Sequence, residues 1–177
     1  LSTNGSYAGS AVLVTRLTAE ARLLRAILEF DLVKYYGKLP IIDHPVSAAE
    51  ANTISRSSVS DVYACIIGDL QFAVANLPTT FGGPFPNYTS ADQGRATKYA
   101  SEAILAKVYM TRSVPGYGVE GPGLGLNEWN LALPLLQDII NSGAFAFNSS
   151  FKNTFAYSNQ NPAVNKVAVF DIMFLRG

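Results

Sequence analysis

The side chains able to do chemistry in this chain are few and scattered. His44 is the sole histidine. Any Ser-His-Asp triad or imidazole-based metal site has to be built around it. It lies in Ile41-Ile-Asp-His-Pro45, a loop run in which Asp43 is its only chemical neighbour. Paired carboxylates are a second route, since glycoside hydrolysis needs two of them. The candidates are Glu20, Glu29, Asp31, Asp61, Asp69 and Glu102. Arg16, Glu20, Arg25 and Glu29 share one helical segment at ion-pair spacing, and Asp61 sits where it caps a helix. These acids therefore read as ties between helices. Cys65 is the only cysteine, which excludes an internal disulfide and a thiolate cluster. In its apolar helical stretch it reads as a buried, inert thiol. No phosphate loop, dinucleotide fingerprint or serine elbow is present. The expectation is a non-enzyme with no catalytic residue, no metal and no cofactor.

The elements that would position these groups are helical. Apolar residues recur at three- and four-residue spacing from about Thr18 to Tyr36, in two stripes. One holds Leu17, Ala21, Leu24, Leu28, Leu32 and Tyr35; the other holds Leu23, Ile27, Phe30 and Val33. A helix apolar on most sides is sandwiched between others, so Leu28→Asp is expected to unfold the chain. Gly37 and Pro40 end the segment. The second helix, 59–77, opens on a Ser58-x-x-Asp61 capping box and buries Val62, Ile66, Leu70, Ala73 and Leu77. The third, 98–112, has Thr97 as N-cap, with Ala100, Ala103 and Ala106 permitting close approach. The fourth, 128–142, has Asn127 as N-cap, Gly143 as left-handed C-terminal cap and Trp129, Ala132, Leu136 and Ile139 or Ile140 inward; Pro134 should kink it. From 144 to 177 the chain reads as irregular or extended, with a strand at Val167-Ala-Val-Phe-Asp-Ile-Met-Phe174.

Helix centres about 30 to 40 residues apart make each helix plus loop one repeat unit. The fold class expected is mainly α: a single tetratricopeptide-like helical-repeat domain over 1–177, a right-handed α-superhelix with long loops and a short C-terminal strand. Hydrophobic residues are 49% of 177, enough for a core. Thirteen basic and thirteen acidic residues cancel, and no basic cluster with interleaved aromatics occurs, so no nucleic-acid partner is expected. No segment has the ~18 uninterrupted apolar residues that span a bilayer. The start at Leu1, without methionine, and the stop after an unpaired strand suggest a longer natural protein. Three linkers, 38–56, 78–96 and 113–126, exceed the usual 2–8 residues of a bundle, a sign of function.

Four stretches together resemble the SusD/RagB family. Ala19-Glu-Ala-Arg-Leu-Leu-Arg-Ala26 with Phe30-Asp-Leu-Val-Lys-Tyr-Tyr-Gly-Lys-Leu-Pro40 resembles the family's Glu-Ala-Arg-Phe-Leu-Arg-Ala helix and its aromatic-Gly-x-x-Pro turn. Ser57-Ser-Val-Ser-Asp-Val-Tyr63, Ile66-Ile-Gly-Asp-Leu70 and Asn76-Leu-Pro78 form the second; Gly94-Arg-Ala-Thr-Lys98 with Ala103-Ile-Leu-Ala-Lys-Val-Tyr109 the third; Trp129, Ala132 and Ile139-Ile-Asn-Ser-Gly143 the fourth. Ala168, where the family carries an acid, and Pro134 depart from the pattern. The resemblance implies a surface-exposed lipoprotein of the outer membrane that captures oligosaccharide or polysaccharide. Its implied partner is a SusC-like TonB-dependent transporter.

Sugar binding needs flat aromatic faces and planar amides or carboxylates. Tyr88 with Asn87, and Tyr117 with Glu120, offer that chemistry on loops, with Phe85 as a lesser member. Each aromatic could instead tuck onto the scaffold, and Trp129, on a buried stripe, reads as core. Two other functions stay open: a tetratricopeptide-like scaffold binding proteins through a concave groove, and, last, an all-helical hydrolase.

Overall fold

The computed structural model describes residues 10–83, 87–116, 120–155 and 166–170. Four long helices dominate: α1 (Ala11–Tyr36), α3 (Val59–Asn76), α4 (Lys98–Ser113) and α5 (Trp129–Asn141). Single turns, α2 (Ala48–Ala51) and α6 (Phe151–Thr154), lie outside the stack. The described residues contain no strand, only isolated bridges pairing Leu39 with Ser57 and Phe81 with Tyr88. Residues 167–170, the described part of the expected C-terminal strand, are irregular, and 171–174 lie outside the described residues.

The helices start where the sequence supplies a side-chain acceptor. Ser10 Oγ takes the amide of Leu13, Ser58 Oγ that of Asp61 and Thr97 Oγ1 that of Ala100, each satisfying a donor with no partner inside its helix. Ser10 lets α1 begin at Ala11, ahead of the Thr18 that the apolar pattern suggested. Asn127 is not a cap. It stands at φ 52, and Glu128 precedes α5 without a side-chain cap bond. The start of α5 is tied down differently: the Glu128 amide donates to Ser113 Oγ at 2.6 Å, and its carboxylate meets Arg112 at 3.3 Å. The helix runs through Pro134 without interruption.

Consecutive long helices pack side by side and antiparallel: α1 on α3, α3 on α4, α4 on α5. The core is Leu23, Phe30 and Val33 of α1 against Val62, Tyr63, Ile66 and Leu70 of α3, continued by Leu105, Ala106 and Val108 of α4 and Ala132 of α5. Burying each large side chain contributes about 1.5–3 kcal/mol.

Of the two apolar stripes on α1, only one is inside. Ala19, Leu23 and Ala26 are fully buried, whereas Leu24, Leu28, Leu32 and Tyr35 face outward and Leu28 is 64% exposed. The inner face carries Ala19 and Ala26, whose small side chains let α3 approach closely, and among the described residues no second helix covers the other side. Leu28→Asp would place its charge in water, so unfolding of this chain is not the outcome that the packing supports. Trp129 is likewise not core. It opens α5 and is 48% exposed, while Ala132 and Ile139 face α4.

The antiparallel order gathers the linkers at opposite ends. One end holds the C-terminus of α1, the N-terminus of α3 and linkers 38–56 and 113–126. The other holds the N-termini of α1 and α4 and linker 78–96. The 18 residues of α3 set the ends about 27 Å apart at 1.5 Å per residue.

Candidate functional site

Linker 78–96 is built inward. Tyr88 is fully buried. Its hydroxyl proton serves the Ala96 carbonyl at 2.7 Å and Glu20 Oε1 at 3.0 Å. Its ring stacks on Phe81 with centroids 5.4 Å apart, beneath the Arg16 guanidinium at 5.1 Å. Glu20 also accepts from Arg95 Nε at 3.3 Å and Nη2 at 2.7 Å. Burial, reinforced by the Glu20 charge, pushes the Tyr88 phenol well above its ordinary value. A sugar finds no open ring face there, which corrects the picture of Tyr88 as a loop aromatic free to stack. Its neighbour Asn87 is half-buried, and its carbonyl accepts from Arg16 at 3.4 Å.

Glu120 stands at the other end. Its Oε1 accepts from the Val59 amide at 2.6 Å, and Oε2 meets Lys38 Nζ at 2.9 Å. It thus caps α3 from a distant linker, with negative charge at the positive end of the helix. Lys38 first, and the Val59 amide second, hold its carboxyl below the usual range. The buried Tyr63 reaches this linker too, donating to the Pro122 carbonyl at 2.8 Å, and burial pushes its phenol up to about 12. Asn87 with Tyr88, and Glu120, are therefore not brought together: they lie at opposite ends of the stack. Phe85 and Tyr117 fall outside the described residues.

His44 sits exposed in linker 38–56, its Nδ1 2.7 Å from Asp43 and its Nε2 3.0 Å from Glu50. Both carboxylates raise its pKa, Asp43 the more. No group of three or more His, Cys, Asp or Glu residues among the described residues could hold a metal ion. The acids that might have formed a hydrolytic pair are mostly engaged in structure. Lys98 bridges the buried Glu102 at 3.2 Å and Asp138 at 2.7 Å, linking α4 to α5. Glu20 belongs to the Tyr88 network.

A cleft of about 620 Å³ lies between α1 and α3, with linker 38–56 at its rim. Asp69, only 3% exposed, is held in its wall by two bonds from Arg25, at 2.7 and 2.8 Å. Arg22 lies 3.8 Å from the same carboxylate and 4.2 Å over the Phe72 ring. Cys65, partly buried rather than sealed in the core, lines the same cleft. Sequence reasoning placed Asp69 among the acids and missed the cleft. Arg22 and Arg25, three apart on one helix face, were the available signal, but their partner lies 44 residues away in the chain.

These helices and their order define a scaffold of known type. A sequence model named SusD-like, described as "Starch-binding associating with outer membrane", matches residues 8–110. The chain belongs to the SusD/RagB family. A SusD-like protein of Bacteroides ovatus is 30% identical over 159 residues, covering 90% of this chain and 26% of its own length. The crystal structure of a SusD-like carbohydrate binding protein from Bacteroides fragilis matches 91% of this chain and 27% of that one, with 27% identity and a TM-score of 0.72. A crystal structure with xylogluco-oligosaccharide matches 94% of this chain and 30% of that one, with 28% identity and a TM-score of 0.71. The chain spans under a third of the length of each of these relatives. No helix among the described residues is long and apolar enough to cross a membrane.

Proposed function

We propose that this chain is part of the glycan-binding component of a SusC/SusD-type import system, a surface-exposed lipoprotein of the outer membrane that hands oligosaccharide or polysaccharide to a SusC-like TonB-dependent transporter. The observation that carries this reading is the likeness of nearly the whole chain to a structure with xylogluco-oligosaccharide. In this reading the antiparallel helices are one stretch of a tetratricopeptide-like right-handed superhelix, and 1–177 is one helical-repeat domain within it. The function is binding without catalysis.

Sugar contacts are proposed for the loop residues Asn87 and Glu120, with Phe85 and Tyr117 beside them in sequence. Tyr88 serves by positioning Asn87, since its own ring is covered. Calorimetry of the full-length protein against malto- and xylogluco-oligosaccharides tests the reading. Saturable binding without sugar release is the expected result; no binding to any oligosaccharide would overturn it.

One observation favours the alternative, a tetratricopeptide-like protein-interaction scaffold. The outward stripe Leu24, Leu28, Leu32 and Tyr35 of α1 is apolar and uncovered, and exposed apolar patches mark interaction surfaces. Peptide binding in the absence of any sugar binding would select it.

A further inference from the structure

We propose that the outward face of α1 is the seat of a further helix of the same polypeptide, supplied by the chain ahead of Leu1 and running antiparallel to α1. The inference rests on the reading of these helices as one stretch of a longer stack, and it is independent of what the protein binds. It stands on the face itself, on the order of the stack and on the length of chain available.

At 3.6 residues per turn, Leu17, Ala21, Leu24, Leu28, Leu32 and Tyr35 fall within about 80° of one another around α1. The buried Ala19, Leu23, Ala26, Phe30 and Val33 occupy the opposite arc, against α3. The outer arc is as apolar as the inner one, yet Leu24, Leu28 and Leu32 are 49%, 64% and 44% exposed and Tyr35 is 81% exposed. No charged residue falls within it. Asp31 and Arg25 flank it, one on each side, and each is already paired, Asp31 with Lys34 at 2.6 Å and Arg25 with Asp69 at 2.7 Å. The face therefore asks for apolar side chains and not for charge. Leu24, Leu28 and Leu32, four apart, form a ridge of the kind that enters the groove of a neighbouring helix. The order of the stack assigns that helix to the same chain. Each long helix packs on the next in sequence, α1 on α3, α3 on α4 and α4 on α5, so the place on α1 opposite α3 belongs to the helix that precedes it. The outer stripe runs from Leu17 to Tyr35, about 27 Å at 1.5 Å per residue. The ten residues ahead of Ala11 would cover about 15 Å of it as a helix, with nothing left for a turn, so the occupant comes from ahead of Leu1. Chain of that length is available: residues 1–177 correspond to between 26% and 30% of the relatives that they match.

Two variants of the full-length protein test this. In the first, the native cysteines are replaced by serine, Cys65 included, and Leu28→Cys is alkylated with N-ethylmaleimide in the native protein and in guanidinium chloride. In the second, p-benzoylphenylalanine stands in place of Tyr35, and the peptide that it captures under ultraviolet light is identified by mass spectrometry. The expected result is alkylation at least hundredfold slower in the native protein than in the unfolded one, with an intramolecular crosslink to the chain ahead of Leu1 that survives tenfold dilution. Native alkylation at the unfolded rate overturns the proposal and returns the stripe to the protein-interaction scaffold. A crosslink between two molecules overturns it in favour of a second copy. A crosslink to the chain beyond Gly177 overturns the assignment to a preceding helix. Neither readout involves sugar, so each of these failures leaves the glycan-binding reading standing. Should Leu28→Cys fail to fold, the crosslink from position 35 alone decides.

Discussion

At one end of the helix stack, linker 78–96 is held by a buried phenol inside a set of charged partners; at the other, linkers 38–56 and 113–126 are held by carboxylates that water reaches, together with the buried hydroxyl of Tyr63 on the Pro122 carbonyl. Tyr88, Glu20, Arg95 and Arg16 form one interlocked set across α1, the linker and the start of α4. Glu120 ties its linker to Val59 and Lys38, His44 makes a local tie to Asp43 and Glu50, and the chain there relies on backbone geometry as well. Gly37 closes α1 at φ 67, and a Cβ on it would stand 2.8 Å from the Glu120 carbonyl oxygen. Two linkers of similar Gly- and Pro-rich composition are thus fixed by different physics. Length alone does not make a linker free.

Substitutions that act on one end and spare the other break or sharpen this contrast. The largest effect is expected from Glu20→Ala. The carboxylate is 15% exposed and is the shared partner of Arg95, Arg16 and Tyr88. Removing it deletes the one group common to all three, although Arg95 keeps Asp92, Arg16 keeps the Asn87 carbonyl and Tyr88 keeps the Ala96 carbonyl; losing hydrogen bonds to a half-buried charge costs about 3 kcal/mol, read from urea unfolding. A loss below about 1 kcal/mol would mean that the aromatic stack holds the linker without the carboxylate.

Gly37→Ala should come next, at about 2 kcal/mol, because the helix end needs a backbone conformation that L side chains rarely adopt and Glu120 blocks the added methyl. A near-neutral Gly37→Ala would show that this end yields where the other does not. Tyr88→Phe is the milder cut at the buried end. It keeps the ring on Phe81 and removes only the hydroxyl, so about 1 kcal/mol is expected. A cost equal to that of Glu20→Ala would place the whole energy of the network in the one hydroxyl.

The contrast also explains what the sequence could and could not disclose. Ser58, Thr97 and Gly143 act locally, over three or four residues, and the ends of α3, α4 and α5 were legible from them. The motifs around Arg22, Asp61 and Thr97 pointed to the family for the same reason. Which stripe of α1 is inside was not legible, because Leu23 and Leu28 are both apolar and periodicity cannot say on which side a neighbour stands. The loop residues were harder still. Tyr88 with Asn87 and Tyr117 with Glu120 read alike as aromatics beside polar partners, yet Tyr88 is buried by groups on α1 and Glu120 is recruited to cap α3. Those partners lie 68 and 61 residues away, beyond the reach of any local pattern.

The smallest effect concerns pH, and the exposed end should respond with two opposite signs. Glu120 is held below its ordinary 4.5 in the fold, so its contribution is present above that value and is lost as pH falls through the lowered one. His44 is held above its ordinary 6.5, chiefly by Asp43 and then by Glu50. Its contribution is complete below 6.5 and is lost as pH rises through the raised value. The reason is stoichiometric: only the imidazolium donates from both nitrogens, whereas a neutral ring must turn an acceptor toward one carboxylate. Linkers 38–56 and 113–126 are therefore tightest between those two limits, while the Tyr88 network, made without histidine, should not change across pH 6 to 8. His44 is the only imidazole of the chain, so its proton resonances titrate without overlap from other residues of 1–177. Asp43→Asn should lower its midpoint more than Glu50→Gln, and the pair together should return it to about 6.5. A midpoint at 6.5 in the unmodified protein, insensitive to both changes, would remove the latch and leave the two ends equal in their indifference to pH.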